Sequence, residues 1–492
     1  MPAIITKDFR IQNANQFSES FSESADTYYL AIGRPQAFAN DQAFNDGTDT
    51  SPPTPVDSVG SVDYYVYDDL LSAKKISSSN VSAVIPRRNW TTGTTYDYYR
   101  HDYGEINSAG TVIAANSGAT TLHDATFYVM NSTFDVYKVI DNNGDSASTV
   151  EPTGNKSTSV FSTSDSYKWK YMYSLSASQQ VNFLSTDFMA VATNSTVSSA
   201  ATDGGIDIVK IKTAGSSYTV SGGGTSGTIT NVPIRGDGSS AVCSVTLTSG
   251  AITAVTITTN GSGYTSGYIR NADIIGATGA GGAGSGAELD VIIPPKGGHG
   301  FNAVEELGGF FVMLNTSLEG TESTNSGDFT AANDFRKITL IKDPQNAAGS
   351  AASAATLRGT YAIRINSSPT PGTFTADEEI NQASTGAVGK VVEWDATNRI
   401  LYYVQTRHND AGADTNGNVT AFSGTNVITG QTSSATGTPE ATTSTVNNVS
   451  FTSGYSAPEL KHDTGEILYV ENRTKITRAT DQTENIKLII EF

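Results

Sequence analysis

Hydrophobic and polar positions alternate in many short stretches of this chain, which is the spacing of β-strands. Residues 467–470 form an apolar run of β-forming residues, for which we expect a strand buried on both faces. A further strand is expected at 486–492, where Lys487 and Glu491 share the polar face. The apolar residues of its other face are Ile486, Leu488, Ile490 and Phe492.

The same pattern predicts strands at 28–32 and at 81–85, the latter ended by Pro86. Short helices are expected near 8–17 and at 69–78. Residues 45–58 contain three prolines and predict a surface loop or arm that makes contacts. Another half-buried strand is predicted from Tyr167, Trp169, Tyr171, Tyr173 and Leu175 on one face, with Lys168 and Lys170 opposite.

Two Gly-, Ser- and Thr-rich segments interrupt this pattern, at 201–296 and at 349–454. The first contains a repeat in which Tyr218 and Tyr264 are 264 − 218 = 46 residues apart, which predicts two copies of one small β unit. In the second, the sequence from Glu379 is echoed from Val427, so another internal β repeat is expected. We interpret both segments as inserted β modules.

Composition excludes several classes of protein. The 492 residues carry a net charge of −19, so the surface repels phosphate backbones, and we expect no nucleic acid partner. A single cysteine, Cys243, excludes an intrachain disulfide and a cysteine metal cage, and is expected to be buried. The sequence shows neither a secretory signal pattern nor a run of eighteen apolar residues, so no membrane association is expected.

Motifs that suggest chemistry fail on their context. Glycines at 222, 224 and 227, and again at 279, 281 and 284, match a dinucleotide fingerprint, but strand-like sequence follows each match where a helix is required. The Asp141–Asp145 segment resembles a calcium loop, but Ser146 stands directly after Asp145, where such a loop requires a glycine. We therefore expect a turn. Adjacent residues of a strand point to opposite faces, so His101 and Asp102 are poorly placed to share a site. His299 lies between glycines and is expected to be part of a turn. We therefore expect no cofactor, metal ion or catalytic residue.

Arg87, Arg88 and Trp90 follow the strand that ends at Pro86. Two guanidinium groups and an indole at this place favour an internal ion-pair corner that fixes a loop, and the alternative is an interface anchor. Both interpretations stay open at this point.

Several segments of the sequence resemble segments of the baseplate wedge subunit of T-even-like contractile-tailed phages, and they occur in the same order as in that family. These segments are AVIPRRNW at 83–90, YKWKYMYSL at 167–175, NDFRKITLIKDP at 333–344, and GEILYVENR with DQTENIKLIIEF near the end. Thr474 and Lys475 depart from the pattern, since the family has two prolines there.

The resemblance implies a structural protein with a mainly β, elongated, multi-domain β-sandwich scaffold and few short helices. Its core would comprise 1–200, 297–348 and 455–492, with the modules inserted at 201–296 and 349–454. It further implies a homodimer that binds other wedge subunits in the virion tail baseplate, transmits rearrangement to sheath contraction and assembles in the host cytoplasm. The candidate structural or interface residues are Arg87, Arg88, Trp90, Trp169, Tyr171, Arg336, Glu471 and Arg473.

Two other functions are considered. A receptor-binding or glycan-degrading tail protein would need paired carboxylates over a sugar groove if it were a hydrolase, and the sequence does not pair its acids. A secreted adhesin would need an export signal. We also expect that the modules decorate the outer face of the baseplate and that they provide any host-surface contact.

Overall fold

A computed structural model describes residues 6–38, 47–55, 66–107, 110–319, 333–406, 416, 418–477 and 483–492. Strands take up 41% of the structure and helices 9%, so the prediction of a mainly β, multi-domain fold with few short helices is confirmed. No helix within these ranges is long and apolar enough to cross a membrane. Of the predicted arm at 45–58, only 47–55 lies inside the described residues.

The elements of the first 200 residues include the predicted N-terminal helix and the strands expected near 28 and 81. In chain order they are α1 (Lys7–Ser20), β1 (Tyr28–Gly33), β2 (Leu70–Ile76), a 3-10 turn (Ser78–Asn80), β3 (Val81–Pro86), β4 (Tyr128–Met130), β5 (Asp135–Asp141), β6 (Phe161–Ser162), β7 (Lys168–Ser174), α2 (Ala177–Phe183), β8 (Phe188–Ala190) and α3 (Ser195–Ser199).

In the described part of the chain after residue 200, nearly all the regular elements are β-strands. Its elements are β9 (Val209–Ser216), β10 (Gly227–Pro233), β11 (Arg235–Gly236), β12 (Val242–Thr248), β13 (Ala251–Thr259), β14 (Gly267–Tyr268), α4 (Asn271–Ile275), β15 (Ser285–Val291), α5 (Ala303–Leu307), β16 (Phe311–Glu319), β17 (Phe335–Lys342), β18 (Thr356–Arg358), β19 (Tyr361–Arg364), β20 (Glu379–Gln382), β21 (Ala387–Asp395), β22 (Ile400–Val404), β23 (Ile428–Gly430), β24 (Thr436–Gly437), β25 (Ser444–Val446), β26 (Val449–Phe451), β27 (Tyr455–Ser456), β28 (Glu466–Ile476) and β29 (Thr483–Glu491).

The chain divides into two compact units. Unit 1 comprises 1–16, 82–313 and 489–492, and unit 2 comprises 17–81 and 314–488. In unit 1 the last residue is hydrogen-bonded to the residue before β16: the Phe492 backbone N–H donates to the Phe310 carbonyl at 3.1 Å. Ile489 packs there against the small core that contains Val84 and Met313.

The aromatic strand β7 lies in a four-stranded sheet of unit 1, in the order β4-β5-β7-β6. The prediction that its aromatic residues share one face is confirmed for Tyr167, Trp169 and Tyr171, which lie in one core, and is wrong for Tyr173. Val136 pairs with Tyr173 and the next residue, Tyr137, pairs with Tyr171, so Met172 is an extra residue that forms a bulge. The bulge moves Tyr173 to a different hydrophobic core from that of Tyr171, and both faces of the middle of β7 are buried.

The 46-residue repeat of unit 1 is also a repeat of strand pairing. The first strand of each copy pairs with the second strand of the other copy. Strand β9 of the first copy pairs with β15 of the second, with Lys210 opposite Asp290 and Val209 opposite Val291. Strand β13 of the second copy pairs with β12 of the first, and the residues at the same offset are again opposite each other. These pairs are Thr256 with Ser244 and Val255 with Val245. Both copies contribute to one hydrophobic core that consists of residues from 206 to 293.

The two repeated tyrosines exchange contacts between the copies. The Tyr218 hydroxyl accepts from the Ala287 N–H at 3.4 Å, and the Tyr264 hydroxyl accepts from the Ala241 N–H at 3.3 Å. Ala287 and Ala241 are themselves 287 − 241 = 46 residues apart. Each tyrosine therefore contacts the same position of the opposite copy, as a pseudo-twofold arrangement requires.

In unit 2 a five-stranded sheet has the order β18-β2-β1-β17-β28. The helix predicted at 69–78 is wrong, because Leu70–Ile76 forms β2, which is paired on both sides. Backbone pairing and burial of Leu70 and Leu71 override the helix propensity of Ala73 and its lysines. Strand β18, inside the segment predicted as the second insert, belongs to this sheet.

The expectation that 467–470 is buried on both faces is also wrong. Strand β28 is the last strand of this sheet, Leu468 is 40% exposed, and the strand continues through Thr474 and Lys475 to Ile476. An edge strand has a neighbour on one side only, and for that reason its apolar residues are half-buried.

A second sheet of unit 2 has seven strands in the order β24-β23-β20-β21-β22-β19-β27. Its internal repeat is regular as well. Ile380 pairs with Gly389 in one hairpin, and Ile428 pairs with Gly437 in the other, at an offset of 428 − 380 = 48 residues. Strands β21 and β22 pair antiparallel as a hairpin.

Candidate functional site

The Arg87–Trp90 corner follows β3 in unit 1. Arg88 donates to the backbone carbonyl oxygens of Ala125, His123 (3.1 Å) and Asp124 (3.4 Å), and its guanidinium lies 4.9 Å from the centre of the Tyr128 ring. These carbonyl groups belong to the loop before β4, so Arg88 fixes that loop.

Arg87 donates to the Ser185 carbonyl at 2.8 Å and to the Asn89 side chain at 3.1 Å. Among the described residues, the partners of Arg87 and Arg88 are backbone and amide oxygens. The predicted ion-pair corner is therefore wrong in its chemistry, although both arginines do hold loops in place. A backbone carbonyl oxygen has two lone pairs that can accept from a guanidinium group, so an arginine can be satisfied by loop carbonyl groups without a carboxylate.

Trp90 joins this corner to the aromatic strand. Its indole N–H donates to the Ser148 hydroxyl at 3.0 Å, and its ring packs against the core that contains Trp169 and Tyr171. Trp169 is fully buried and donates to the Thr163 hydroxyl at 3.0 Å. The Tyr171 hydroxyl lies 2.7 Å from that of Ser174. Trp90, Trp169 and Tyr171 are thus brought together, in an interior cluster.

A fully buried ion pair lies in the same unit. The Lys138 ammonium on β5 contacts the Glu306 carboxylate on α5, with 0% and 2% of the two side chains exposed. Glu306 also accepts from the Gly300 N–H at 2.7 Å, and the Lys138 ammonium lies 4.9 Å from the centre of the Tyr99 ring. Burial lowers the pKa of Lys138, and the charge of Glu306 opposes that shift. The pair ties α5 to the centre of the sheet.

A polar cavity of about 390 Å³ lies beside this pair, with Lys170, Asp207 and His299 in its lining. Burial raises the pKa of Asp207 and lowers that of Lys170, each opposed by the charge of the other. His299 lies in the predicted turn, is 4% exposed, and burial with two nearby lysines lowers its pKa. Asp207 is the one carboxylate in this lining, so a hydrolase pair of acids does not converge here.

Arg336, on β17 in unit 2, forms a bidentate pair with Asp49, at 2.8 and 2.9 Å. Asp49 belongs to the part of the predicted proline-rich arm that the structure describes, so this part of the arm is bound to β17. The neighbouring Lys337 pairs with the fully buried Asp69 at 2.9 Å. Arg336 and Lys337 are thus buried cations of the sheet, and each has a carboxylate partner, as a buried charge requires.

Glu471 and Arg473 lie two residues apart on the edge strand β28. The Arg473 guanidinium is 3.4 Å from the Glu471 carboxylate, and 47% of the arginine side chain is exposed. The Tyr469 hydroxyl donates to the same carboxylate at 3.1 Å. Of the eight predicted residues, Glu471 and Arg473 lie at the surface of an edge strand.

Sequence reasoning missed the long-range ion pairs. Lys138 and Lys337 each interrupt an apolar strand, and this pattern could have marked them as buried charges. Their partners Glu306 and Asp69 carry no comparable signal, because each lies more than 160 residues away along the chain.

The residues of the remaining sequence motifs make contacts within the fold. Asp102 pairs with Arg100 at 2.7 Å, and His101 accepts from the Ile293 N–H at 3.2 Å. The two glycine-rich matches are followed by β10 and β15, so the expected strands are confirmed. In the part of the chain that the structure describes, no group of three or more His, Cys, Asp or Glu side chains is placed to hold a metal ion.

These features define a mainly β protein built of several sheets, whose conspicuous charged and aromatic residues hold strands and loops to each other. Residues 3–150 match the family model described as Bacteriophage T4, Gp8. The resemblance to the baseplate wedge subunit is thereby confirmed, on a match that covers those residues. No curated protein matches the chain.

Proposed function

We propose that this chain is a structural subunit of a phage tail baseplate wedge, located in the virion and requiring no covalent chemistry. The observation that carries the proposal is the family match over 3–150. The matched range includes the Arg88 corner, Lys138 of the buried ion pair and Asp49, which binds Arg336. Such residues keep a part rigid while its orientation toward other proteins changes.

The finer proposal is that the chain works as a homodimer, joins other wedge subunits and transmits their rearrangement to sheath contraction. Edge strand β28, with Arg473 exposed and Glu471 partly exposed along it, is a candidate contact surface. Its partly exposed apolar residue Leu468 supports this choice. Assembly in the host cytoplasm agrees with a chain whose single cysteine, Cys243, is buried.

The glycine-rich module is proposed to lie outside the assembly contacts and to face the host surface. Ile208 and Ile292 belong to the core of the rest of unit 1, whereas Val209 and Val291 belong to the core of the module. The Ile292 N–H donates to the Ile208 carbonyl at 3.3 Å, so the module enters and leaves at one point. Two ion pairs also join the module to the rest of the unit, Arg100 with Asp290 and Lys210 with Asp141. Removal of the module leaves Arg100 paired with Asp102 and Asp141 paired with Lys168, so neither charge loses its last partner.

The experiment compares the full chain with a variant in which a two-residue glycine linker replaces residues 209–291. Light scattering gives the oligomeric state, and mixing with the other purified wedge proteins, followed by gel filtration, measures assembly. We expect both proteins to be dimers that enter the wedge complex.

A full chain that stays monomeric and joins no wedge complex would overturn the proposed function. A deletion variant that folds but fails to assemble would overturn only the peripheral role of the module. Far-ultraviolet circular dichroism separates that result from misfolding.

A further inference from the structure

The two copies of the repeat in unit 1 agree in register but differ at one surface. In the second copy Tyr268, Arg270 and Asp273 lie close together, and the equivalent positions 46 residues earlier are Gly222, Gly224 and Gly227. Local structure differs too, since Gly227 begins strand β10 while Asp273 lies in helix α4. Arg235 joins the second copy's group, and its own equivalent is Gly281, a fourth glycine.

The four side chains form one group on the module. Arg235 and Tyr268 are direct partners between β11 and β14, so their side chains are neighbours. Asp273 accepts from Arg235 at 2.8 Å and from Arg270 at 2.9 Å, and its own side chain is 7% exposed. The hydrogen bonds from Arg270 and Arg235 lower the pKa of Asp273, which keeps it ionised.

The arginines remain accessible while Asp273 holds them. Their side chains are 45% and 56% exposed, and the Tyr268 ring is 53% exposed beside them. Each guanidinium has five N–H donors, and the bonds to Asp273 leave several of them directed elsewhere. Two arginines and one aspartate give a formal charge of 2 − 1 = +1, on a chain whose net charge is −19.

These observations specify the chemistry of a ligand. Guanidinium groups that are already oriented bind an oxyanion with little loss of side-chain freedom. An exposed tyrosine offers a flat apolar face with a polar edge, on which a sugar ring can lie. The exposed residues around the group are mostly Ser, Thr and Gly, among them Ser239, Thr265 and Ser266. One further carboxylate, Asp237, is exposed there, and it accepts from the backbone N–H groups of Thr265 and Ser266 at 3.0 and 2.9 Å. A protein-binding hot spot would instead be surrounded by packed apolar residues.

We propose that Arg235, Tyr268, Arg270 and Asp273 form a binding site for an anionic saccharide, a sugar that carries a carboxylate or sulfate group. The tyrosine ring packs against the sugar and the two arginines bind its anionic group, while Asp273 positions both arginines. This inference deepens the proposed host-surface contact of the module. Its failure would leave the wedge role intact, because wedge assembly is measured separately.

Isothermal titration of the full chain tests the site with polygalacturonate, which carries carboxylates, dextran sulfate, and neutral dextran. We expect binding to at least one of the two polyanions, weakening with salt, and none to neutral dextran. Tyr268→Ala and Arg270→Gln should each weaken binding by about tenfold or more, a loss of about 1.4 kcal/mol. Lys212→Gln is the matched control, because Lys212 is equally exposed in the first copy and its loss changes the net charge equally.

Three binding results would overturn the proposal: binding of neither polyanion by the wild-type chain, equal weakening by Lys212→Gln and Arg270→Gln, or no effect of Tyr268→Ala. Tyr268→Ala that assembled poorly into wedges but bound polyanions normally would show a protein contact, and would also overturn it. Unchanged thermal unfolding of each variant confirms that the fold is intact.

Discussion

Lys138 and Glu306 form an ion pair with almost no solvent contact, although 168 residues separate them in the sequence. Lys138 is on β5 and Glu306 on α5, so the pair connects two elements of unit 1. Removing one partner leaves the other charge buried without compensation. The pair is therefore a sensitive point of this unit.

We expect Lys138→Ala to lower the free energy of unfolding of unit 1 by about 3–5 kcal/mol. Lys138→Met combined with Glu306→Gln should recover most of that loss, because neither neutral side chain is a buried charge. Chemical denaturation measures both. Lys212→Ala breaks an exposed pair, with side chains 55% and 60% exposed, and should cost about 0.5 kcal/mol or less. Similar losses for Lys138→Ala and Lys212→Ala would contradict the argument.

Tyr218 and Tyr264 occupy equivalent positions of the repeat, so substitutions at the glycines that contact them should have similar effects on the stability of the module. A Cβ atom at Gly284 would lie 2.2 Å from the Tyr218 ring, and one at Gly238 would lie 2.4 Å from the Tyr264 ring. We expect Gly238→Ala and Gly284→Ala both to destabilise the module, by roughly 1–3 kcal/mol each. Hydrogen exchange of 209–291 measures this loss, and Ser221→Ala, at an exposed position, should leave exchange unchanged. Sensitivity in one copy alone would argue against the pseudo-twofold arrangement.

Arg88 and Arg473 are predicted to differ in what they stabilise. Arg88→Ala removes the partner of three loop carbonyl groups and should cost roughly 1–3 kcal/mol of stability. Arg473→Ala, at the exposed edge of β28, should change stability by no more than about 0.5 kcal/mol. Thermal unfolding distinguishes them, and the wedge assembly assay tests Arg473 separately. A large stability loss in Arg473→Ala would make it a core-supporting residue.

The lowered pKa of His123 makes the free energy of unfolding depend on pH. Burial, helped by the charge of Lys7, lowers the pKa of His123 to about 4. Since the unfolded chain binds the proton more readily, stability is full above pH 6.5 and falls as pH drops toward 4. At pH 5 the loss should be about 2 kcal/mol. His299 acts in the same direction, because its pKa is lowered too.

His123→Gln should remove its part of this loss, so the difference in stability between pH 7 and pH 5 becomes smaller than in the wild-type chain. Denaturant unfolding at the two pH values measures it. Few carboxylates titrate in that window. An unchanged pH dependence in the variant would show that His123 is accessible to protons in the folded chain.

Local pattern was sufficient for much of the fold. Alternation located β1, β3 and β29, and Pro86 marked the end of β3. The 46-residue spacing of Tyr218 and Tyr264 indicated a duplicated module, because a repeated sequence repeats its strand pairing. These signals are local, or periodic, and a sequence carries them directly.

The sequence alone determined the mainly β class, the repeats and the resemblance to a baseplate wedge subunit. Only the tertiary structure decided which strands have two neighbours, and so made Leu70–Ile76 a central strand and left β28 at an edge. It also decided the bulge at Met172 and the pairing of Lys138 with Glu306. The physical reason is that burial and charge pairing depend on residues far apart in sequence, whereas strand alternation depends on the nearest ones.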